Sequence, residues 1–294
     1  MLSILIPTYN YNVYPLVTIL KVEAEVLEIN YEILVQDDAS QEYLCENSKI
    51  NTLKGCNYTI NSHNLGRGKN INMLCSKSKY DYILILESDS LPNNSSYLKN
   101  YINLLSKSPE VIFGGVEYPN NTPESKKILR WKYGRNRECK SLNHRLKNNY
   151  DFVFTWNLLL KKDILIKYPF PEYINDYGYE DSIFIKTLRI HSISINHIEN
   201  QLTHCNDQFS IEFIKKTERA VQTLFNLNNN NKIDSKDIKL TLIYSILKRV
   251  YLTGVLKLIY SISKKRILNN LTSQKPSLFL FDLYKLGYYC NLQK

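Results

Sequence analysis

The sequence lacks closely paired cysteines, long apolar runs and an export signal. Its six cysteines include no C-x-x-C pair, so neither a zinc site nor a dense disulfide framework is predicted. No run of about 18 uncharged apolar residues occurs, which excludes a membrane-spanning helix. Met1 leads directly into an apolar segment, without a basic stretch or a small-residue cleavage site, so no signal peptide is predicted. Together these absences predict a cytoplasmic protein.

Acidic residues are scarce at the C-terminal end, where most of the net charge of +10 is found. Residues 235–294 contain eleven Lys or Arg residues and only two acids, Asp237 and Asp282. The rest of the chain is nearly neutral, which argues against a nucleic-acid partner and predicts a basic tail. A genome biased toward Lys and Asn codons would produce the same charge, so a functional and a compositional explanation both stay open.

In the first hundred residues, short apolar runs alternate with segments whose apolar residues have helical spacing. The runs that predict strands are residues 2–6, 33–35, 58–60 and 82–86. Between them lie segments with helical spacing, such as Leu16, Ile19 and Leu20. The alternation predicts an α/β fold with a mostly parallel sheet covered by helices. Ligands of such sheets bind beyond the carboxyl ends of the strands.

Polar clusters follow all four predicted strands, as PTYN, QDDAS, NSHNLGRGKN and ESDS. In the last cluster, Glu87 and Asp89 are two carboxylates separated by one residue. Mg²⁺ and Mn²⁺ prefer oxygen ligands and often bind through one or two carboxylates plus substrate phosphates, so this pair indicates a nucleoside-diphosphate site. Asp37 and Asp38 could accept hydrogen bonds from a base or a ribose. A solvated turn for the first pair and a helix cap for the second are the simpler alternatives.

Five motifs in order resemble the inverting family 2 glycosyltransferases with the GT-A fold. They are ILIPTYN, VQDDAS, NLGRGKNIN, LILESDS and YPFPEYINDYGYEDSIF, and the resemblance covers about residues 2–205. It implies a Rossmann-like, mostly parallel sheet flanked by helices, to which the chain adds a C-terminal helical tail. It also implies an enzyme of bacterial polysaccharide biosynthesis.

The resemblance implies a nucleotide site built from the first two motifs. Tyr9 is the residue expected to pack on the base, with Pro7 and Thr8 shaping its loop. Asp38 is expected to read the base, usually uracil, and Asp37 to support it.

A metal site is implied next, occupied by Mn²⁺ or Mg²⁺. Asp89 is the expected direct ligand. Glu87 occupies a position where the family has Asp, so its longer side chain is expected to reach the ion, a metal-bound water or the ribose. His204, in LTHCND, is expected to complete the metal or phosphate ligands. Arg67 could contact phosphate, although a solvated loop residue is an equal alternative.

The acceptor side is implied by the fifth motif. Asp181 is expected to be the general base, and Glu180 to position the acceptor. Both also fit a helix N-terminus, where acids offset the helix dipole. Trp131 and Trp156 could stack on sugar rings, with a core position as the alternative for Trp156.

The predicted organisation has three parts. Residues 1–225 form the catalytic domain, with a nucleotide-binding half at about 1–115 and an acceptor half at about 116–225, including an irregular stretch at 119–150. An Asn-rich linker at 226–234 precedes the basic amphipathic helical tail, residues 235–294. The apolar face of the tail consists of Leu240, Ile243, Tyr244, Leu247, Val250 and Tyr251. The tail is predicted either to make peripheral contact with a membrane or to pack against the catalytic domain.

The function implied is transfer of a sugar from a UDP-sugar to a hydroxyl of a glycan or a lipid-linked acceptor, in the cytoplasm or at the inner face of the membrane. A non-catalytic carbohydrate-binding or assembly protein with a decayed site is one alternative, supported by Glu87. A sugar nucleotidyltransferase is another, but ILIPTYN lacks the glycine-rich basic loop of that class.

Overall fold

The four predicted strands lie next to one another and form one side of the larger of two sheets. The computed structural model describes residues 1–174, 176–205 and 208–293. The strands in chain order are β1 (Leu2–Thr8), β2 (Tyr31–Asp37), β3 (Cys56–Ile60), β4 (Tyr82–Leu86), β5 (Ser90–Pro92), β6 (Val111–Phe113), β7 (Val116–Glu117), β8 (Asn157–Lys161), β9 (Ile195–His197) and β10 (Leu202–His204).

The larger sheet has seven strands in the order β3-β2-β1-β4-β8-β6-β9. Four of its six pairings are parallel, and β8 is antiparallel to both of its neighbours. Every residue of β1 is buried, as expected of a strand with both faces covered. The prediction of an α/β fold with a mostly parallel sheet is therefore confirmed. A second sheet of three short strands has the order β5-β10-β7.

Twelve α-helices connect and follow the strands in the described residues. They are α1 (Tyr14–Val26), α2 (Leu44–Ser48), α3 (Arg67–Lys77), α4 (Tyr97–Leu105), α5 (Ile128–Tyr133), α6 (Leu142–Arg145), α7 (Lys162–Lys167), α8 (Glu180–Ile190), α9 (Ser210–Asn229), α10 (Lys239–Arg249), α11 (Thr253–Leu271) and α12 (Leu278–Leu292). Leu16 and Leu20 of α1 are buried, as their spacing predicts, whereas Ile19 is exposed.

The chain divides into two compact units. The first contains Met1–Pro119, Glu138–Asn175 and Glu180–Asn206, and the second contains Asn120–Arg137, Asp176–Tyr179 and Asp207–Lys294. The predicted domain boundaries at residues 225 and 235 stay a prediction. Helix α9 continues to Asn229, into the segment predicted as a linker.

In the first unit, the buried polar residue Asn157 connects several segments by hydrogen bonds. Asn157, at the start of β8, is fully buried. Its side-chain oxygen accepts hydrogen bonds from the hydroxyls of Tyr97 (2.5 Å) and Tyr101 (2.7 Å), and its amide donates to the carbonyls of Gly115 and Asn200. One side chain thus satisfies four buried polar groups from three segments: helix α4, Gly115 and Asn200.

Replacing Asn157 by Leu should destabilise the protein by about 3–5 kcal/mol, because several buried donors and acceptors lose their partner at once. Thermal unfolding should show a Tm lower by about 10 °C. Tyr101→Phe, which removes one hydroxyl, should have a smaller effect of about 1 kcal/mol. The matched control is Asn143→Leu, at an exposed position. Equal Tm values for Asn157→Leu and Asn143→Leu would contradict this assignment.

The second unit has its own apolar core. The core residues come from α5, α9, α11 and α12, and they are Leu129, Ile214, Tyr260, Ile267, Leu271, Phe281 and Tyr284. The stretch at 119–150, predicted to be irregular, contains α5, α6 and a π-helical turn at Gly134–Glu138. That prediction was wrong because a 3₁₀ turn at Ser125–Lys127, α5 and the π-helical turn follow one another without a break but differ in residues per turn, so that the stretch shows no single helical period.

The tail forms the three helices α10, α11 and α12, which confirms a C-terminal helical segment. Most of the apolar face predicted for it is half-buried, and Tyr244 lies edge-on to Tyr289 of α12 with ring centroids 5.0 Å apart. Val250 and Tyr251 are exposed instead. In the part of the chain that the structure describes, no helix combines the length and the apolar character needed to cross a membrane.

Candidate active site

The polar clusters that follow β1, β2 and β3 meet at Asp38. Its Oδ1 accepts hydrogen bonds from the backbone amide of Leu65 (2.8 Å) and the side chain of Asn61 (2.9 Å), and its Oδ2 accepts from the amide of Gly66 (2.9 Å). The backbone amide of Asp38 donates to the carbonyl of Thr8. Asp38 therefore holds the loop before α3 against the ends of β1 and β2, and its predicted role in reading the base stays a prediction.

Both carboxylate oxygens of Asp37 accept hydrogen bonds from within the protein. Its Oδ1 accepts a hydrogen bond from the amide of Ser40 (2.7 Å), and its Oδ2 accepts one from the hydroxyl of Tyr58 (2.6 Å). Burial and the neighbouring Asp37 carboxylate raise the pKa of Tyr58, so the phenol stays protonated and remains a donor. Asp37 thus fixes the turn that carries Asp38, and its support of base recognition stays a prediction.

Tyr9, Pro7 and Thr8 lie where the first motif predicts, at the end of β1. Pro7 and Thr8 are buried and pair in register with Gln36 and Asp37 of β2. The side chain of Tyr9 is 53% exposed, so its ring is accessible. Packing of this ring on a nucleotide base stays a prediction.

The glycines of the third motif allow the chain to turn and approach closely. Gly66 has a φ of +85°, a conformation that side chains with a Cβ disfavour. A Cβ on Gly68 would lie 3.3 Å from both the Cβ of Phe170 and the carbonyl oxygen of Pro171. Asn72 donates to the carbonyl of Phe170 (3.0 Å) and accepts from its amide (3.0 Å). Helix α3 is thereby attached to the FPE segment of the fifth motif.

Arg67, the first residue of α3, joins the fourth and fifth motifs. Its Nε lies 3.1 Å from Oε2 of Glu87, and its Nη1 lies 2.7 Å from Oδ1 of Asp181. Burial lowers the pKa of the guanidinium, but the carboxylates of Asp181, Glu87 and Glu180 outweigh burial, so the pKa is raised above its ordinary value. Arg67 is therefore the fixed cation between these carboxylates. The sequence predicted that it could meet phosphate, but not these partners.

Asp181 has a further partner that the sequence did not indicate. The hydroxyl of Thr155 lies 2.5 Å from Oδ1 of Asp181 and 2.9 Å from Nη1 of Arg67. Thr155 precedes β8 and is fully buried. Because one Thr in a chain has no distinguishing pattern, only the structure shows that it orients Asp181.

Glu180 and Asp181 are the first residues of α8, which confirms that they occupy a helix N-terminus, whereas their roles as acceptor-positioning group and general base stay predictions. Glu180 is buried, and burial together with the charge of Asp181 raises its pKa. Its Oε2 has no hydrogen-bond partner in the described part of the chain. The two adjacent carboxyl groups thus have different environments.

Asp89 and His204 come together through the smaller sheet. His204 pairs in register with Ser90, and the amide of Cys205 donates to the carbonyl of Asp89. Nε2 of His204 lies 3.7 Å from Oδ1 of Asp89. Asn206 and Asp207 of the LTHCND stretch, and Asn175 of the fifth motif, lie outside the described residues.

Asp89 and His204 carry a carboxylate oxygen and an imidazole nitrogen, donor types that a divalent cation accepts. Two ligand atoms that each lie about 2.1 Å from one ion are about 3.0 Å apart at adjacent octahedral positions, so the two side chains, at 3.7 Å, would have to approach by less than about 1 Å to share an ion. Within residues 1–174, 176–205 and 208–293, no group of three or more His, Cys, Asp or Glu side chains is arranged to hold an ion. An arrangement with two protein ligands is typical of ions that also bind substrate phosphates.

The two tryptophans differ in position. Trp156 is buried, and its ring lies edge-on to that of His204 at 5.2 Å. Tyr118 stacks on the same imidazole at 5.1 Å. Trp131 is on α5 in the second unit, with the guanidinium of Arg135 5.3 Å from its ring. The acceptor roles of both stay predictions, and the burial of Trp156 agrees with the alternative of a core aromatic.

Comparison with known families identifies the class of protein that this fold and site define. The family model described as Glycosyl transferase family 2 matches residues 3–168, more than half of the chain. The chain belongs to this family and is a glycosyltransferase, which confirms the resemblance found in the sequence. No curated protein matches the chain.

Solved structures confirm the GT-A-like fold. Mannosyltransferase PcManGT from Pyrobaculum calidifontis, in complex with GDP-Man and Mn²⁺, is similar with a TM-score of 0.56 at 12% identity over 99% of this chain and 84% of that one. Mannosyl-3-phosphoglycerate synthase from Rubrobacter xylanophilus has a TM-score of 0.53 at 14% identity, over 80% and 76%. S. aureus TarS 1–349 in complex with UDP has a TM-score of 0.51 at 15% identity, over 99% and 90%. The chain covers 40% of the longer S. aureus TarS.

Proposed function

We propose that the protein is an inverting, metal-dependent glycosyltransferase that moves a sugar from a UDP-sugar to a hydroxyl of a glycan or a lipid-linked acceptor. The observation that carries the proposal is the position of Asp181, which Arg67 and Thr155 hold by hydrogen bonds of 2.7 and 2.5 Å. A carboxylate fixed in this way, at the edge of the sheet where ligands bind, is suited to act as a general base. We place the reaction in bacterial polysaccharide biosynthesis, at the inner face of the membrane.

The donor site would be formed by the ends of β1 and β2. The exposed ring of Tyr9 and the carboxylate of Asp38 are the groups that would bind the base. Structural neighbours determined with UDP and with GDP-Man support a nucleotide-sugar donor. A screen of UDP-, GDP- and dTDP-sugars for hydrolysis would identify the base and the sugar.

The reaction would be a single displacement. The acceptor oxygen forms a bond to the anomeric carbon while the bond from that carbon to the diphosphate oxygen breaks. The acceptor proton passes to the carboxylate of Asp181, and the electron pair of the broken bond leaves with the nucleoside diphosphate. General-base assistance of this kind contributes about 10²–10⁴-fold. No covalent glycosyl-enzyme forms in this scheme.

Arg67 and Glu180 would assist Asp181 in different ways. Arg67 makes a charge-assisted hydrogen bond that fixes the orientation of the base. Glu180, adjacent and buried, is assigned to positioning the acceptor hydroxyl. Glu87 would act through its ion pair with Arg67, in addition to any part it has in binding ribose or a metal-bound water.

Asp89 and His204 would hold the divalent cation, Mn²⁺ or Mg²⁺. When bound, the ion would neutralise the charge that develops on the departing diphosphate. The complex of PcManGT with Mn²⁺ supports this part of the proposal.

Two other functions would use the same fold without this chemistry. A carbohydrate-binding or assembly protein with a decayed site would have no need for an oriented Asp181. A sugar nucleotidyltransferase would need the glycine-rich basic loop that the N-terminal motif lacks.

Isothermal titration calorimetry with UDP should separate these alternatives. Removing Mn²⁺ with EDTA should weaken UDP binding at least about tenfold, because the diphosphate loses its counter-charge. Asp89→Ala should bind UDP equally weakly with and without Mn²⁺, whereas the control Asp163→Ala, at an exposed position, should behave as the unmodified protein. UDP binding that is indifferent to Mn²⁺ would contradict the metal site. Absence of nucleotide binding under all conditions would favour the non-catalytic alternative.

A further inference from the structure

An apolar band lies exposed on the second unit, along α10 and the first half of α11. We define the apolar band by its nine exposed side chains: Leu242, Ile246, Val250, Tyr251, Leu252, Val255, Leu258, Ile259 and Ile262. Tyr251 is 90% exposed and Ile262 72% exposed. Single apolar residues on a surface are ordinary, but nine exposed apolar side chains between residues 242 and 262 indicate an interaction site.

The apolar band overlaps only in part with the apolar face predicted from the sequence, with which it shares Val250 and Tyr251. Ile243, Tyr244 and Leu247 of α10 are half-buried, and Tyr244 packs against α12. Leu242 and Ile246 project from another side of the same helix and stay exposed. On α11, Val255, Leu258, Ile259 and Ile262 follow the spacing of one helical face. Packing within the unit therefore uses one apolar face of the tail and leaves another uncovered.

The charge around the apolar band has one sign. Between Asp237 and Asp282 the sequence contains no acidic residue and eight basic ones: Lys239, Lys248, Arg249, Lys257, Lys264, Lys265, Arg266 and Lys275. Seven of them are exposed, all except Lys257. Arg249 lies three residues after Ile246, and Arg266 lies four residues after Ile262, so each cation shares a helix face with an exposed apolar side chain. A surface complementary to this band would have an apolar interior and anionic groups at its boundary with water.

We propose that the apolar band and its basic residues bind the surface of an anionic lipid bilayer. The exposed Leu and Ile side chains would enter the boundary between head groups and acyl chains, while the Lys and Arg residues would contact the anionic head groups. The helices would lie on the membrane, since none of those described can cross it. A second copy of this chain fits less well, because a two-fold interface places the same patch on both sides and would bring the two sets of cations together.

Membrane binding deepens the proposed function by bringing the enzyme to a lipid-linked acceptor, and in that sense it rests on that function. No residue of the active site belongs to the apolar band or to its basic residues. Nucleotide binding and lipid binding can therefore be measured separately on the same protein, and either can fail without the other.

Co-sedimentation of the full chain with vesicles tests the proposal. The unmodified protein should bind phosphatidylcholine vesicles containing phosphatidylglycerol at least about tenfold more strongly than pure phosphatidylcholine vesicles, and added salt should weaken the binding. Leu258→Gln with Ile262→Gln should reduce binding to the anionic vesicles at least about tenfold. Arg249→Gln, Lys265→Gln and Arg266→Gln together should have a similar effect.

The matched control replaces two equally exposed apolar residues of the first unit, Ile166→Gln with Ile190→Gln, which are 63% and 65% exposed. This control should bind vesicles as the unmodified protein does, and all variants should retain UDP affinity and Tm. Failure of the unmodified protein to bind anionic vesicles would overturn the proposal, as would equal binding by the Leu258 and Ile262 variant. A dimer in sedimentation equilibrium that this variant abolishes, without lipid binding, would assign the apolar band to a second copy and would also overturn it.

Discussion

Asp181→Asn should lower kcat for sugar transfer by about 10²–10⁴-fold, the range that a general base contributes. Asn retains an oxygen that can accept from Arg67 Nη1 and Thr155 Oγ1, the two groups that hold Asp181. It cannot take up the acceptor proton. The site should therefore keep its shape and lose its chemistry, so that the Kd for UDP stays within about twofold of the unmodified value.

Release of UDP from a UDP-sugar, with water or a glycan as acceptor, measures the rate, and calorimetry measures donor binding. Asp163→Asn, at an exposed position on α7, is the matched control and should retain full activity. Transfer by the Asp181→Asn variant at a rate near that of the control would show that another group is the base. A parallel loss of UDP affinity would show that Asp181 has a structural role instead.

Arg67→Met should lower kcat by about 10²-fold, the effect of a small displacement of a catalytic group. Without the guanidinium, Glu87 and Asp181 lose the cation that lies 3.1 and 2.7 Å from them. Arg67→Lys should be intermediate, because Lys retains the charge but not the planar fork that reaches both carboxylates. Arg189→Met, at the exposed end of α8, is the control.

The division of the Arg67 effect between kcat and donor affinity tests the two roles considered for this residue. If Arg67 positions Asp181, kcat falls while the Kd for UDP is unchanged, and added guanidinium ion partly restores kcat to Arg67→Ala. If Arg67 binds phosphate, the Kd for UDP rises with the loss of kcat. The Arg67→Met effect should also be smaller in a Glu87→Gln background, because the two side chains are in contact. Additive losses would contradict the coupling.

The sequence predicted the elements whose signals are local. β1 and β4 are runs of almost entirely buried residues with no charge inside, so their strand character shows without knowledge of their neighbours, and β2 and β3 show it through the short apolar runs at 33–35 and 58–60. The polar residues that follow them could be assigned to one edge because parallel strands end together. For the same reason the class of ligand could be inferred before any contact was known.

The contacts of Arg67 could not be predicted, because they join residues 20, 88 and 114 positions apart in the sequence. The approach of His204 to Asp89 was expected only from the family resemblance, because it depends on strands of three residues that leave no periodic pattern. The second apolar face of α10 was missed for a different reason. Sequence spacing shows where apolar residues lie around a helix, but it does not show which of them a neighbouring helix covers.

The three hydrogen bonds already made to Asp38 bear on which base it could recognise. A carboxylate has about four positions at which it accepts hydrogen bonds, and Leu65, Asn61 and Gly66 occupy three of them. If Asp38 reads the base as proposed, about one acceptor position remains for it. Uracil presents a single imide N–H between two carbonyl groups, whereas guanine presents adjacent N1–H and amino donors that call for two acceptors. By occupying three of the acceptor positions of Asp38, the loop before α3 would therefore restrict the bases that this carboxylate can bind to those that present a single donor.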